Sequence, residues 1–361
     1  MMLDALARFD GEITRLGVVL APDGSPFERE GVLNPASATM RDGSLLLYPR
    51  DVAEGNVSRV GMCRGIRSGE ELRFERMGFA LEPEAPYEVR TVSGGMGCED
   101  PRVTFVPVLD RYLMAYTAFG PNGPRIAVAL SVDGHGWERL GLMGFAPELH
   151  QGDDKDGAFF PEPVISPGGV RSLAFYHRPM LRLSTMDGRG AIPTLLDLPP
   201  EERECTRIGY VPLDPVLERI DNLLDVRESA LVLAPDAPWC RVKTGAGTPP
   251  VRIEEGWFSI FHGVDAKETE NGSYRTQYSA GFVVHDLERP HIVRYRSGTP
   301  EMVPEGIDET HGIVNDVVFP TAIEPRGERS FEFFYGMADA RVGRASVKLA
   351  PPSEGAEESA A

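Results

Sequence analysis

One sequence pattern recurs five times along this chain: an apolar run that ends in an aromatic residue and is followed by a polar side chain. Sheets repeated around a common axis show such a pattern, because radial repetition protects the sheet edges and leaves a central channel. The repeat favours five blades, each presenting a polar group at that axis. The five occurrences are Leu47-Tyr48 before Arg50, Ala115-Tyr116 before Thr117, Phe175-Tyr176 before His177, Ile260-Phe261 before His262, and Phe334-Tyr335 before Asp339.

Turn signals separate these strand-like runs from one another. Asp42-Gly43, Asn122-Gly123 and Asp133-Gly134 stand at the ends of such runs and are typical of tight turns between antiparallel strands. The 39 glycines and 31 prolines among 361 residues likewise favour short strands over long helices. Two segments, 199–204 and 215–224, fall outside this pattern and are interpreted as short helices or an insertion, with proline near a helix start. We therefore expect an all-β chain.

The formal net charge of -18 limits the partners of the protein. Nucleic acid and anionic membranes are bound through clustered Lys and Arg, so neither is expected as a partner. A small anionic substrate is compatible with this charge if a few basic side chains converge. The first residues lack the basic start and apolar run of a secretion signal, and no run approaches the ~18 apolar residues of a membrane span, so we expect a cytoplasmic protein.

Cysteine and histidine spacing gives no sign of a metal site. Cys63, Cys98, Cys205 and Cys240 never form a Cys-x-x-Cys pair, which favours buried free thiols. The seven histidines show no zinc-protease spacing, and the glycine-rich segments lack the setting of a nucleotide-binding loop. We expect no metal and no cofactor.

The densest polar motif is Gly97-Cys98-Glu99-Asp100-Pro101-Arg102, which leads into a strand-like run. An acid pair beside a guanidinium group suits sugar chemistry, because one carboxyl can stay protonated while the other stays charged. The alternative is a salt-bridge cluster that caps a strand. The same choice holds for His177, which follows an apolar strand and could be a core histidine, and for Arg125, which could start an edge strand in solvent.

Further motifs follow this hexapeptide in a fixed order. Together they resemble glycoside hydrolase family 130, which contains the inverting β-mannoside phosphorylases, from roughly Asn34 to Val347. The motifs are Tyr116-Thr117-Ala118, Arg125, Lys155-Asp156, Phe160-Pro161-Glu162, His177-Arg178-Pro179, Lys243-Thr244-Gly245-Ala246-Gly247, Gly256-Trp257, Phe261-His262-Gly263, Tyr278-Ser279-Ala280-Gly281, Asn315 and Tyr335-Gly336-Met337-Ala338-Asp339.

The resemblance implies a five-bladed β-propeller, in agreement with the repeat. We place the propeller at residues 31–350, after an N-terminal extension (1–30) and before an acidic, disordered tail (351–361). Pro49 before Arg50 and Met337 depart from the phosphorylase pattern, which leaves the acceptor sugar open.

The resemblance also implies phosphorolysis of a β-mannoside to α-mannose 1-phosphate, with inorganic phosphate as co-substrate and a mannoside or oligosaccharide as partner. Asp100 is the candidate catalytic acid and acts through a sugar hydroxyl. The other candidates form two groups: for phosphate Arg125, Lys155, His177 and Arg178, and for sugar Asn34, Arg50, Glu99, Asp156, His262, Tyr278 and Asp339. A β-mannosidase that uses water and a glutamate base, and a noncatalytic glycan-binding propeller, are the alternatives.

Overall fold

The computed structural model describes residues 6, 9–181 and 191–351, and within them the protein is nearly all β, as the turn-rich sequence predicts. The first strands are β1 (Gly11–Leu20), β2 (Gly31–Thr39), β3 (Leu45–Ala53), β4 (Val57–Ser68), β5 (Glu71–Leu81), β6 (Met96–Val106), β7 (Arg111–Gly120), β8 (Gly123–Ser131) and β9 (Glu138–Leu142). Strands β2 to β5 form one antiparallel run and β6 to β9 another. Two parallel pairs, Val57 with Met96 and Ser58 with Gly97, join the runs into one eight-stranded sheet.

The middle of the chain forms a five-stranded sheet and one small sheet. Its strands are β10 (Gly144–Phe145), β11 (Asp154–Phe159), β12 (Val164–Ile165), β13 (Arg171–Pro179), β14 (Thr206–Pro212), β15 (Asp225–Val226) and β16 (Glu228–Leu233). The larger sheet has the order β11-β13-β14-β16, with β12 beside β13, and β10 pairs with β15.

The last third of the chain builds two more sheets. Its strands are β17 (Lys243–Gly245), β18 (Val251–Ile253), β19 (Gly256–Glu268), β20 (Tyr274–His285), β21 (Val293–Arg296), β22 (Val318–Gly327), β23 (Ser330–Met337) and β24 (Arg341–Leu349). One sheet has the order β17-β19-β20-β21, with β18 beside β19, and the other has the order β1-β24-β23-β22.

The two ends of the chain meet in the last sheet. Strand β1 pairs antiparallel with β24, so the predicted N-terminal extension, residues 1–30, contributes a strand to the sheet built by the C-terminal strands. Of the predicted acidic tail, residues 352–361 lie outside the described residues.

Short helices surround β14, and all but α1 fall on the segments 199–204 and 215–224, for which the sequence predicts short helices. They are a 3-10 turn at Pro200–Glu202, α1 (Ala191–Asp197), α2 (Leu213–Glu218) and a second 3-10 turn at Ile220–Leu224. Strand β14 lies between these helices and belongs to a sheet, so this region is only partly an insertion. A third short helix, α3 (Gly306–Thr310), precedes β22.

The aromatic residues of the recurring sequence pattern lie in the core. Tyr48, Tyr116, Tyr176, Phe261 and Tyr335 are each at most 1% exposed. A buried aromatic side chain contributes about 1.5–3 kcal/mol of transfer free energy, so these residues hold each sheet against its neighbour. Three of these tyrosine hydroxyls donate hydrogen bonds: that of Tyr48 to the Gly134 carbonyl at 2.7 Å, that of Tyr116 to Glu88 Oε1 at 2.6 Å, and that of Tyr335 to Glu309 Oε1 at 2.8 Å.

The four cysteines are free and buried, which confirms the sequence prediction. In the part of the chain that the structure describes, no helix has the length and apolar character needed to cross a bilayer.

Asp51 carries an isolated buried carboxyl on β3. Its Oδ1 has no hydrogen-bond partner among the described residues, and the residue is 6% exposed. Burial, together with the charge of Glu28, raises the pKa of Asp51 to about 8 although Arg76 opposes the shift. The folded protein thus keeps a proton that the unfolded chain releases near pH 4, and its free energy of unfolding falls as pH rises from about 4 to 8.

We expect Asp51→Asn to remove this fall in the free energy of unfolding with rising pH. At pH 8 the variant should be more stable than the wild type by about 1–3 kcal/mol, because asparagine has no proton to release and so avoids the linkage cost of a carboxyl whose pKa burial has raised. Urea unfolding at several pH values measures the difference, which should shrink toward zero near pH 4. A difference that stays constant with pH would contradict the assignment.

Candidate active site

A cavity of about 190 Å³ lies where the four large sheets converge. Its lining is strongly polar and carries four cationic side chains. The lining residues are Asn34, Arg50, Asp100, Lys155, Asp156, Arg178, Met180, Lys243, His262, Tyr278, Val317, Phe319 and Asp339. Most of the predicted site residues, distant in sequence, therefore meet in one place.

Four of the lining residues have left-handed backbone. The φ angles are 40° at Asn34, 47° at Asp100, 62° at Asp156 and 50° at Asp339. Three of them stand at register shifts: in β2 between Leu33 and Ala36, in β6 between Glu99 and Arg102, and in β11 between Lys155 and Ala158. Asn and Asp tolerate this conformation better than other non-glycine residues, and a bulge turns a side chain out of the regular alternation.

Asp100 is held in place by two donors. Asn34 Nδ2 donates to its Oδ1 at 2.8 Å and Arg50 Nη1 donates to the same oxygen at 3.1 Å. Burial alone would raise the pKa of Asp100, but the charges of Arg50, Lys155 and Arg102 outweigh it and hold the pKa below its ordinary value. Asp100 is therefore a carboxylate in the empty cavity.

Asp339 is a second carboxyl in the cavity, and its pKa is shifted in the opposite direction from that of Asp100. Burial raises the pKa of Asp339 to about 6, with Asp100 adding to the shift and Arg50 opposing it. Two carboxyls near one arginine thus have pKa values that are shifted in opposite directions.

Glu99 lies behind the cavity lining and positions two cations. Its Oε1 accepts from Arg50 Nη2 at 3.0 Å and its Oε2 accepts from Lys155 Nζ at 2.9 Å. The residue is 2% exposed. This placement lets Glu99 position Arg50 and Lys155, and its predicted contact with sugar stays a prediction.

Asp156 and Arg178 form a buried ion pair in the sheet β11-β13-β14-β16. Arg178 Nε donates to Asp156 Oδ2 at 2.7 Å, and its Nη1 donates to Glu204 Oε2. The charge and hydrogen bond of Arg178, together with the charge of Arg102, offset the burial of Asp156, so the pKa of Asp156 lies below its ordinary value. Asp156 is consequently charged and committed to Arg178.

His262 and Lys243 occupy the part of the lining that is built by the sheet β17-β19-β20-β21. Burial lowers the pKa of His262 to about 3, so its ring is neutral, and neither ring nitrogen has a hydrogen-bond partner in the described chain. The Lys243 ammonium lies 5.2 Å from the centroid of the Tyr278 ring. No described carboxylate pairs with Lys243, whereas Arg50, Lys155 and Arg178 all have such partners.

Sequence reasoning assigned no role to Lys243, although it begins one of the motifs that carry the resemblance. Met180, Val317 and Phe319 also line the cavity and were not predicted. Phe319 lies 4.4 Å from the His262 ring, centroid to centroid. Apolar residues of this kind give no sequence signal, because their pattern is the same as that of any core strand.

Two predicted phosphate ligands lie outside the cavity lining. Both ring nitrogens of His177 are engaged, Nδ1 with Asp154 Oδ2 at 2.7 Å and Nε2 with Ser229 Oγ at 2.8 Å. His177 therefore supports β11 from within the core, and its role toward phosphate stays a prediction. Arg125 Nη1 donates to the Gln151 carbonyl at 2.8 Å, and its role toward phosphate stays a prediction.

The model of glycoside hydrolase family 130, described as β-1,4-mannooligosaccharide phosphorylase, matches residues 23–184 and 221–350. The chain belongs to glycoside hydrolase family 130. The 1,2-β-oligomannan phosphorylase of Thermoanaerobacter sp. (strain X514) is 27% identical to this family 130 enzyme over 343 residues, which are 92% of this chain and 95% of the relative. A β-1,2-mannobiose phosphorylase of Listeria innocua serovar 6a is 27% identical over 253 residues, 70% of this chain and 58% of the relative.

Solved structures share the fold. The Listeria innocua β-1,2-mannobiose phosphorylase in complex with β-1,2-mannobiose has a TM-score of 0.67 at 22% identity and covers 93% of this chain and 96% of its own. A structure from work on family 130 glycoside hydrolases that target β-1,2 mannosidic linkages in Candida mannan has a TM-score of 0.67 at 18% identity and covers 96% of each chain. The protein is thus an enzyme of a family that contains phosphorylases and glycoside hydrolases.

Gly336 leaves room for Asn34 beside Asp100. A Cβ added at Gly336 would lie 1.9 Å from Asn34 Oδ1, so Gly336→Ala must displace the side chain that donates to Asp100. We expect the variant to lose about 10- to 100-fold in kcat/KM on a cleavable β-mannoside, the usual effect of a small misplacement in an active site.

Gly327→Ala is the matched control for this prediction. It lies in β22 of the same sheet, and its added Cβ would meet only Ser330 Cβ at 3.8 Å. Its kcat/KM should stay within about twofold of the wild type, a neutral change for an open surface position. Equal activity of the two variants would show that the placement of Asn34 is unimportant.

Proposed function

We propose that this protein is an inverting β-mannoside phosphorylase that uses inorganic phosphate to release α-mannose 1-phosphate and a shortened acceptor. The observation that carries the proposal is the charge of the cavity lining: four cations from three sheets, one of them, Lys243, without a carboxylate partner in the described chain. A cationic lining suits an anionic nucleophile, whereas water needs no such lining. The relatives' names, which describe phosphorylases of β-mannosides, support the same reaction.

We also propose that the sheets form a five-bladed propeller around this cavity. The support is the presence of five antiparallel runs of four strands: β2 to β5, β6 to β9, β11-β13-β14-β16, β17-β19-β20-β21, and β22 to β24 with β1. Each run contributes at least one residue to the lining. Nucleophile and acid can then approach the sugar from opposite sides, as inversion requires.

Phosphate is proposed to bind beside Lys155, Arg178, Lys243 and His262. Lys155 and Arg178 are already matched by carboxylates, so a dianion gains most from the unmatched Lys243 ammonium. Neutral His262 adds a ring N–H that can donate to a phosphate oxygen or a sugar hydroxyl without adding a further charge.

The sugar is proposed to bind on the other side of the cavity, against Asn34, Arg50, Asp100 and Asp339. An amide, a guanidinium group and two carboxyls offer both donors and acceptors to hydroxyl groups. Tyr278 and Phe319 supply an apolar surface next to them.

Asp100 is proposed to gain its proton only when phosphate is bound. Its pKa is depressed by Arg50 and Lys155, and an anion placed beside Lys155 neutralises part of that effect. Asp100 then takes up a proton and, as the family resemblance implies, passes it through a sugar hydroxyl to the departing oxygen. Phosphate binding and acid formation are coupled in this way.

Hydrolysis is the second candidate function. A water nucleophile needs a carboxylate base, and no glutamate lies on the described lining of the cavity, since Glu99 and Glu204 sit behind Arg50 and Arg178. The observation that favours this candidate is Asp339, whose pKa near 6 suits a group that accepts a proton from water. Hydrolysis would therefore use Asp339 in place of the predicted glutamate.

The products decide between the two reactions. We expect mannose 1-phosphate to form from β-1,2- or β-1,4-mannosides only when inorganic phosphate is present. Asp100→Asn should lower the rate by about 100- to 10,000-fold, the usual effect of losing a general acid, while calorimetry still detects mannoside binding. Free mannose formed without phosphate would establish hydrolysis, and sugar binding without either product would indicate a noncatalytic protein.

Replacement of Lys243 tests the phosphate site. Lys243→Met keeps the length of the side chain and removes its charge, so KM for phosphate should rise about 10- to 100-fold, the value of one charged hydrogen bond. KM for the mannoside should change little. Lys348→Met, at an exposed position in β24, is the control. An unchanged KM for phosphate in Lys243→Met would place the nucleophile elsewhere.

A further inference from the structure

A groove of about 550 Å³ lies on the other face of the sheet that carries His262 and Tyr278. Successive residues of a strand point to opposite faces, and the pairs Asp265 with Gln277 and Lys267 with Arg275 fall on the groove side of β19 and β20. The groove is lined by Pro238, Trp239, Asp265, Lys267, Arg275, Gln277, Gly298, Thr299, Pro300 and Asp316.

The groove and the active-site cavity share a thin wall. Gln277 lines the groove and its neighbour Tyr278 lines the cavity, and the same relation holds for Asp316 and Val317. The Tyr278 amide donates to the Asp316 carbonyl at 2.9 Å, which joins the two segments. A chain that leaves the cavity has to pass over this wall, past Tyr278 and Val317, to reach the groove.

The groove is chemically suited to an uncharged, polyhydroxylated ligand. Among its lining residues, two acidic side chains, Asp265 and Asp316, balance two basic ones, Lys267 and Arg275, although the chain as a whole carries a net charge of -18. Arg275 pairs with Asp316, and Asp265 pairs with Arg241. With these three lining charges compensated and Lys267 the one lining charge without a carboxylate partner among the described residues, the groove offers hydroxyl groups both donors and acceptors.

An aromatic residue stands beside these polar groups. Trp239 has room because of two glycines: a Cβ added at Gly263 would lie 2.5 Å from its Cζ3, and one at Gly281 would lie 2.8 Å from its Cη2. The indole Nε1 is itself buried, so the part of Trp239 that lines the groove is apolar. A concave surface that combines one aromatic residue with a few polar side chains is typical of a ligand site, and 550 Å³ is within the usual range of about 300–1,000 Å³.

The cavity is too small for a whole oligosaccharide. Its volume of about 190 Å³ is below that range, so a longer substrate must extend outside it. We propose that the groove binds the acceptor part of longer β-mannooligosaccharides and makes the enzyme selective for chain length. This inference rests on the proposed function, because it assigns the acceptor side of the same reaction.

Gly298 allows the groove to be filled without strain. An added Cβ at Gly298 meets no atom within 4 Å and the residue is exposed, so Gly298→Trp places a large side chain in the groove. Gly136→Trp is the matched control, since Gly136 is equally open and lines a different surface groove beside Trp137. Gln277→Ala, which removes one polar group from the groove, is the second variant.

The experiment compares kcat/KM on a mannohexaose and on the mannobiose of the same linkage. The proposal expects Gly298→Trp to lower the hexaose-to-biose ratio at least fivefold and Gln277→Ala to lower it about twofold to tenfold, the range of one hydrogen bond. Turnover of the biose should be unchanged in both variants, and Gly136→Trp should keep the wild-type ratio. A wild-type ratio in Gly298→Trp would overturn the proposal.

A direct binding measurement separates this proposal from the proposed function. If the wild type cleaves neither sugar, the phosphorylase assignment fails, and calorimetry with the hexaose then tests the groove by itself. Weaker hexaose binding in Gly298→Trp than in Gly136→Trp supports the groove, whereas equal or absent binding overturns it. Light scattering on the same samples tests whether a second copy of the chain occupies the groove. A wild-type dimer that Gly298→Trp converts to a monomer would make the groove a dimer interface and overturn the proposal.

Discussion

The active site depends on four asparagine and aspartate residues held in a left-handed backbone conformation. Asn34, Asp100, Asp156 and Asp339 each have a φ angle between 40° and 62° and line the cavity. A strained non-glycine residue costs on the order of 1–3 kcal/mol and persists only where its surroundings fix it. Here the buried aromatic residues of each sheet fix the strands, and the strained residues turn their polar groups toward the centre.

Charge in the cavity is arranged so that most of it is already compensated. Glu99 holds Arg50 and Lys155, while Asp156 and Glu204 hold Arg178. These carboxylates keep the cations in place in the low dielectric of the interior, where an unpaired charge is costly. Lys243 is the exception among the lining cations of the described chain, and the proposed phosphate site depends on this asymmetry.

The two faces of the sheet β17-β19-β20-β21 carry different surfaces. One face carries His262 and Tyr278 to the cavity, and the other face carries the groove. Because side chains alternate along β19 and β20, a pair of strands can serve both surfaces with neighbouring residues. Glycines at 263 and 281 keep the groove face open for Trp239.

The sequence by itself determined the all-β class, the buried aromatic positions, the free cysteines and most of the cavity lining, because alternation, turn residues and ordered motifs are local properties of the chain. It also supplied a readable sign of two bulges, since Asn34-Pro35 and Asp100-Pro101 interrupt strands at the register shifts. Only the tertiary structure decided that His177 serves the core, that Glu99 stands behind the lining, that β1 joins β24, and that Lys243 is unmatched. The physical reason is that a histidine or a lysine has the same sequence pattern in a core, on a surface or in a site. Its role depends on which partners arrive from strands far away in the chain.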